Sequence, residues 1–173
     1  MIIREAIMGD EDGIARVHVD SWRTTYKGIV SNDYLRTLSY EQRAENWRRG
    51  IGKSALYVAE ENGQIVGFAT GGKERTGNYD ADAELYAIYL LQSVQGQGVG
   101  KQLVRKLAEE MKRLNFSSLL VWVLDQNPSK KFYESLGGKR IDETMIDIAG
   151  EQFKEVAYHW DDLKLLMNAG TIK

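Results

Sequence analysis

The chain has 173 residues, 43% of them hydrophobic and 28% charged, with a formal net charge of −2. That length fits one domain able to bury a core without staples, and the absence of cysteine excludes a disulfide framework, thiolate metal sites and a cysteine nucleophile. Near-neutral charge argues against bulk binding to nucleic acid or an anionic membrane. Only His18 and His159 offer imidazole, so no metal site is expected, and without a leader or an apolar run of about 18 residues the expectation is a cytoplasmic protein.

In chain order, residues 1–6 read as a short strand. Residues 10–26 follow as an amphipathic helix carrying Ile14, Val17 and Trp22, opened by acidic residues. Residues 32–49 predict one more helix, capped by Asn32 or Asp33 and ended by Gly50. From Ala55 the period changes to two strands, 55–59 and 65–69, joined through Asn62-Gly63, a strong hairpin signal. Residues 84–91 are almost continuously apolar, as a central strand would be.

A glycine-rich turn, residues 95–100, then leads into a helix. Val99, Leu103, Val104, Leu107, Ala108, Met111 and Leu114 fall on one of its faces. Residues 119–124 read as a buried strand, and Pro128 opens a shorter helix that Gly137-Gly138 closes. The remainder, 140–148 and 152–160, reads as a final hairpin turning near Gly150. This order predicts an α/β (α+β mixed) domain over residues 1–173, with a mixed, mostly antiparallel sheet and helices on both faces.

Two clusters carry chemistry. In Gln95-Gly96-Gln97-Gly98-Val99-Gly100 small residues leave amide N–H groups unobstructed at a helix start, and Lys101, Arg105 and Lys106 add positive charge. That is a phosphate cradle, or simply a tight strand–helix turn. A dinucleotide fingerprint fails because Lys101 stands where its third glycine belongs, and a Walker loop fails at Gln95 and Gln102. The second cluster is Asn127-Pro128-Ser129-Lys130-Lys131-Phe132-Tyr133-Glu134. Asn127 could be a helix cap, and Phe132, Tyr133 and Leu136 could be core packing.

Together the clusters resemble the GCN5-related N-acetyltransferase (GNAT) family. Its signature Q/R-x-x-G-x-G/A matches residues 95–100 at every fixed position. Its later pattern matches Asn127, Phe132, Tyr133, Glu134, Leu136 and Gly137. Two departures are Gly138, where the family often has an aromatic, and Ser129, where it often has alanine. The resemblance implies a splayed pair of central strands and acetyl-CoA as cosubstrate, with no metal. Cofactor contacts would come from Ile88, Tyr89 and Leu90 on the strand and from Gln95, Gly96, Gln97, Gly98, Val99, Gly100 and Lys101 in the loop. Asn127, Lys131 and Tyr133 would complete them.

Transfer of acetyl to an amine needs a neutral amine, a polarised carbonyl and a proton for the leaving thiolate. Without cysteine, direct attack in a ternary complex is the natural scheme. Tyr133 is the candidate acid. Glu84, a carboxylate at the start of an apolar strand and eleven residues before Gln95, is the candidate base, with a water chain as the alternative. Trp22, Tyr26 and Tyr86, and also Phe153, are candidate walls for a small-molecule or peptide amine, though Trp22 and Tyr26 could equally be core. A homodimer is left open. The rival reading is a catalytically weak CoA-binding regulatory protein of the same fold.

Overall fold

The computed structural model describes residues 1–168; residues 169–173 of the expected domain lie outside the described residues. Seven strands form one sheet: β1 (Ile2–Glu5), β2 (Ala55–Glu61), β3 (Gln64–Lys73), β4 (Ala83–Leu90), β5 (Leu119–Leu124), β6 (Lys139–Ile148) and β7 (Glu151–Trp160), in the order β1-β2-β3-β4-β5-β7-β6. Every neighbouring pair is antiparallel except β4–β5. The helices are α1 (Glu11–Thr25), α2 (Asn32–Thr37), α3 (Tyr40–Gly50), α4 (Val99–Arg113), α5 (Lys130–Ser135) and α6 (Lys164–Met167).

The hairpins turn where the sequence says they must. Asn62 (φ 51°) and Gly63 (φ 76°) both hold positive φ, as a two-residue turn matching the twist of its strands requires. The helical apolar faces cover both sides of the sheet. One cluster packs Val99, Leu103, Leu107 and Met111 of α4 with Trp160, Leu163 and Leu166. On the opposite side Ile14 and Val17 of α1 pack on Leu56, Val58 and Phe68.

Three local readings are corrected. The single helix expected over 32–49 is two, because Ser39 adopts an extended conformation (φ −104°, ψ 128°) and its Oγ accepts from Gln42 N at 3.2 Å, starting α3 afresh. Ser31, rather than Asn32 or Asp33, caps α2 by accepting from Tyr34 N. The helix expected to open at Pro128 begins at Lys130, since Asn127 Oδ1 accepts from Ser129 N at 2.8 Å and holds the intervening residues in a turn. The 3-10 turn at Gln92–Val94 and α6 carry too few residues to register as periodic patterns.

His18 shows what the core demands of a titratable group. Trp47 Nε1 donates to its Nδ1 at 3.2 Å, and its ring stacks on Tyr89 with centroids 5.1 Å apart. Burial, with a smaller contribution from the Arg43 charge, pushes its pKa down to about 3. An unfolded histidine titrates near about 6.5, so between those values the unfolded chain binds the extra proton and folding loses ground as pH falls. Stability from this group is therefore intact above about pH 6.5 and drops by about 1.4 kcal/mol per unit below it, or about 2 kcal/mol by pH 5. Urea midpoints should show that slope in the parent and a flatter one in His18→Gln; equal slopes would contradict it.

Candidate active site

The sheet parts in its middle. β4 and β5 pair only at Ala83↔Leu119, Glu84↔Leu120 and Leu85↔Val121. Beyond that point the strands diverge. A bulge on β4 marks the start of the divergence: Gly71 pairs with Leu85 and Thr70 with Ala87, leaving Tyr86 as the extra residue. The glycines on the neighbouring strand make this possible. A Cβ on Gly71 would sit 2.6 Å from the Glu84 carbonyl oxygen, and one on Gly72 2.8 Å from Tyr86 Oη. Tyr86 Oη donates to the Lys73 carbonyl at 2.6 Å.

Leu91 N donates to Val66 O on the β3 side. By the alternation of an antiparallel ladder, the N–H groups of Leu90 and Ile88 then face the gap. The Leu90 carbonyl accepts from Ser21 Oγ and from Gln95 Nε2, each at 3.1 Å, which ties α1 and the glycine turn to the end of β4.

A cavity of about 760 Å³ occupies the gap, within the usual range of ligand sites, about 300–1,000 Å³. At one part of its wall, Gly96 (φ 74°) and Gly98 (φ 80°) hold the left-handed backbone that a side chain would strain. The first intrahelical bond of α4 runs from Gln102 N to Gly98 O. The N–H groups of Val99, Gly100 and Lys101 therefore lack a helical partner, no acidic residue stands in the first turn, and the positive end of the α4 dipole lies there. Gly100 has a further reason to be glycine: a Cβ would press on the Phe132 ring at 3.2 Å.

The expected residues mostly converge. Ile88, Tyr89, Leu90, Gln95, Gly96, Gly98, Gly100, Lys101, Asn127 and Tyr133 line the cavity, as do Trp22, Tyr26 and Tyr86. Gln97, Val99 and Lys131 do not. Val99 turns into the core, Gln97 Nε2 donates to Ser93 O, and Lys131 points to solvent. Phe153 packs against the cluster that contains Val19, Tyr26 and Leu124 and does not itself line the cavity. Trp22 and Tyr26 serve packing and wall at once, with ring centroids 4.5 Å apart. Asn127, almost fully buried, accepts from Ser129 N through Oδ1 while its Nδ2 donates to Tyr26 Oη at 3.3 Å. Tyr133 is 5% exposed. Burial, with the neighbouring Tyr89, pushes its phenol well above the usual tyrosine range, so it stays protonated.

Glu84, the candidate base, also lies outside the cavity. It is 2% exposed. Its carboxylate accepts from Arg75 N at 3.2 Å, Nε at 3.1 Å and Nη2 at 2.5 Å. The strand start that made it stand out in the sequence is where β4 is still paired to both neighbours, so its side chain is enclosed rather than presented. Two charged residues not expected from the sequence do line the cavity: Arg75, stacked over the Tyr86 ring at 4.6 Å, and Glu155. Both sit among polar residues of a loop and a solvent-flanked strand, where nothing in the local pattern distinguishes them.

The family model described as Acetyltransferase (GNAT) family matches residues 16–138. The uncharacterized N-acetyltransferase YuaI of Bacillus subtilis is 44% identical over 164 residues, covering 95% of each chain. Among solved structures, the ribosomal-protein-alanine N-acetyltransferase of Brucella melitensis superposes with a TM-score of 0.73 at 23% identity, covering 93% of this chain and 99% of that one. The PaiA N-acetyltransferase of Thermoplasma acidophilum, solved in complex with coenzyme A, gives a TM-score of 0.70 at 22% identity over 90% of this chain and 96% of its own.

Proposed function

The chain belongs to the GNAT acetyltransferase family and is an acetyl-CoA-dependent N-acetyltransferase; from that premise we propose that it acetylates a primary amine of a small molecule or peptide by direct attack in a ternary complex. The observation that carries this reading is the parted β4–β5 seam, whose cavity brings unpaired helix-start amides, the free N–H groups of β4 and the Tyr133 phenol together. Residues 1–173 would act as one such domain.

Acetyl-CoA supplies a thioester whose acyl carbon is open to a nitrogen nucleophile. The amides around Gly98 and Gly100, with Lys101, would hold its pyrophosphate, since they combine unpaired donors, a helix dipole and no opposing carboxylate. Ile88 and Leu90 would pair their main chain with its extended arm as an edge strand does with an added one. The Leu90 N–H would then polarise the acyl oxygen. Asn127, fixed by Ser129 and Tyr26, would present the remaining polar contact. Tyr133 would give its proton to the departing sulfur; the burial that raises its own proton affinity raises that of a thiolate in the same cavity.

Replacing Gly98 by aspartate tests the cradle. The change forces a side chain into a left-handed backbone at a position with nothing within 4 Å of its Cβ, so the fold should survive. The added carboxylate would repel phosphate, and calorimetry should show CoA binding weakened about 100-fold, equivalent to about 2.7 kcal/mol. Affinity equal to the parent's would put the pyrophosphate elsewhere.

A further inference from the structure

The cavity holds one carboxylate that no described residue pairs. Glu155 stands on β7, opposite Leu124 of β5 and Thr144 of β6, and is half-buried. Among the described residues its oxygens accept no hydrogen bond and form no ion pair, in contrast to Glu84, whose carboxylate takes three donors from Arg75. On its own face of the sheet it is flanked by Leu124 and Trp122 of β5 and by Thr144 and Ile146 of β6, mostly apolar. Arg75 is the nearest cation lining the same cavity. A carboxylate left unpaired against such a wall is costly unless a cation completes it.

Resting on the proposed function, we propose that Glu155 binds the ammonium of the acceptor and takes its proton, while Glu84 serves to position Arg75. The charged and titratable groups near Glu155 are few. Arg75 and Tyr79 come from the loop between β3 and β4, Glu84 from β4, and Tyr26 from the end of α1. Strands β5 and β6 contribute only Leu124 and Thr144 directly opposite. The adjacent Lys154 is engaged by Glu143. Burial pushes the Glu155 carboxyl above the usual range and the Glu84 charge adds to it, while Arg75 works against both. A carboxylate with a raised proton affinity is a better acceptor from an ammonium than one free in water.

The protons and electrons balance. One ammonium N–H bond breaks and its proton goes to a Glu155 oxygen, leaving a lone pair on nitrogen. That pair forms the N–C bond at the acyl carbon while the C–S bond breaks. Sulfur receives the Tyr133 proton, and the second nitrogen proton returns through water to the phenolate left behind. Glu155 releases its own proton to solvent. The products are amide, thiol and one proton.

The test uses Glu155→Gln in the full chain, with n-butylamine as acceptor. At pH 7 kcat/KM for the amine should fall about 100-fold, the low end for a lost general base. The deficit should shrink nearly tenfold per unit and close by about pH 9, as the pH approaches the amine's own value, about 10.4 for a lysine-like ammonium, because free amine then needs no base. Calorimetry should give unchanged CoA affinity. Glu84→Gln, by loosening Arg75, should alter the level of activity but keep the parent's pH profile. A Glu155→Gln profile matching the parent's in level and slope overturns the proposal. Carbon-13 titration of the side-chain carboxyls in the CoA-bound protein reads the same group without turnover. The signal missing in Glu155→Gln should titrate above an ordinary glutamate and move on adding n-butylamine. An ordinary titration that ignores the amine also overturns the proposal. Failure of the acetyltransfer reading itself would instead appear as absent CoA binding.

Discussion

Tyr133→Phe should lower kcat by about 10²–10⁴-fold while leaving the fold and CoA affinity in place. The substitution removes one hydroxyl and keeps the ring, which packs against Phe132, Tyr158 and Trp160 with centroids 5.4, 6.1 and 6.3 Å away. Those contacts do not involve the oxygen, and no described side chain or carbonyl hydrogen-bonds to it. Its proton is therefore uncommitted in a wall of the cavity. Single-turnover thiol release with acetyl-CoA bound is the measurement, because it isolates the step in which sulfur leaves. Turnover equal to the parent's would return Tyr133 to a purely packing role.

Trp160→Ala should cost about 3–5 kcal/mol, the range for deleting a large buried aromatic. The indole is 1% exposed and its Nε1 donates to the Leu136 carbonyl at 2.9 Å, so the substitution both opens a cavity and strands a buried acceptor. Urea unfolding should show a lower midpoint with an unchanged slope. The same residue accounts for a departure noted in the sequence. A Cβ on Gly138 would lie 2.7 Å from Trp160 Cζ2. The aromatic that the family often carries after its Leu-Gly step has no room here because a strand tryptophan already fills the space. Adding Gly138→Phe to Trp160→Ala should recover part of the loss, whereas Gly138→Phe alone should destabilise.

The parts of the fold visible in the sequence were those fixed by neighbours along the chain. The Asn62-Gly63 turn, the single apolar face of α4 and the spacing of the glycines each follow from local backbone rules, and each stands where those rules put it. The break between α2 and α3 was legible in principle, since Ser39 precedes Gln42 by the spacing of a cap. It was hidden by a continuous run of helix-compatible residues on either side. The candidate site divides in the same way. Its glycine turn, Asn127 and Tyr133 lie in contiguous motifs and line the cavity together. Glu84 and Glu155 could not be ranked, because their difference is non-local. It rests on Arg75, nine positions before Glu84, and on a register that sets β7 beside the open end of β5. A carboxylate's partner is decided by topology, and sequence offset carries no trace of it.

The short β4–β5 pairing has a mechanical meaning. Strands β1 to β4 and strands β5 to β7 are two blankets of hydrogen bonds stitched together over three residue pairs. Each wall of the cleft belongs to a different blanket: Ile88 and Leu90 to the first, Val123 and Glu155 to the second. Whatever lies in the cleft is therefore a suture. Main-chain bonding to one side and packing on the other would draw the halves into one continuous fabric, and release of product would return the seam to its three stitches.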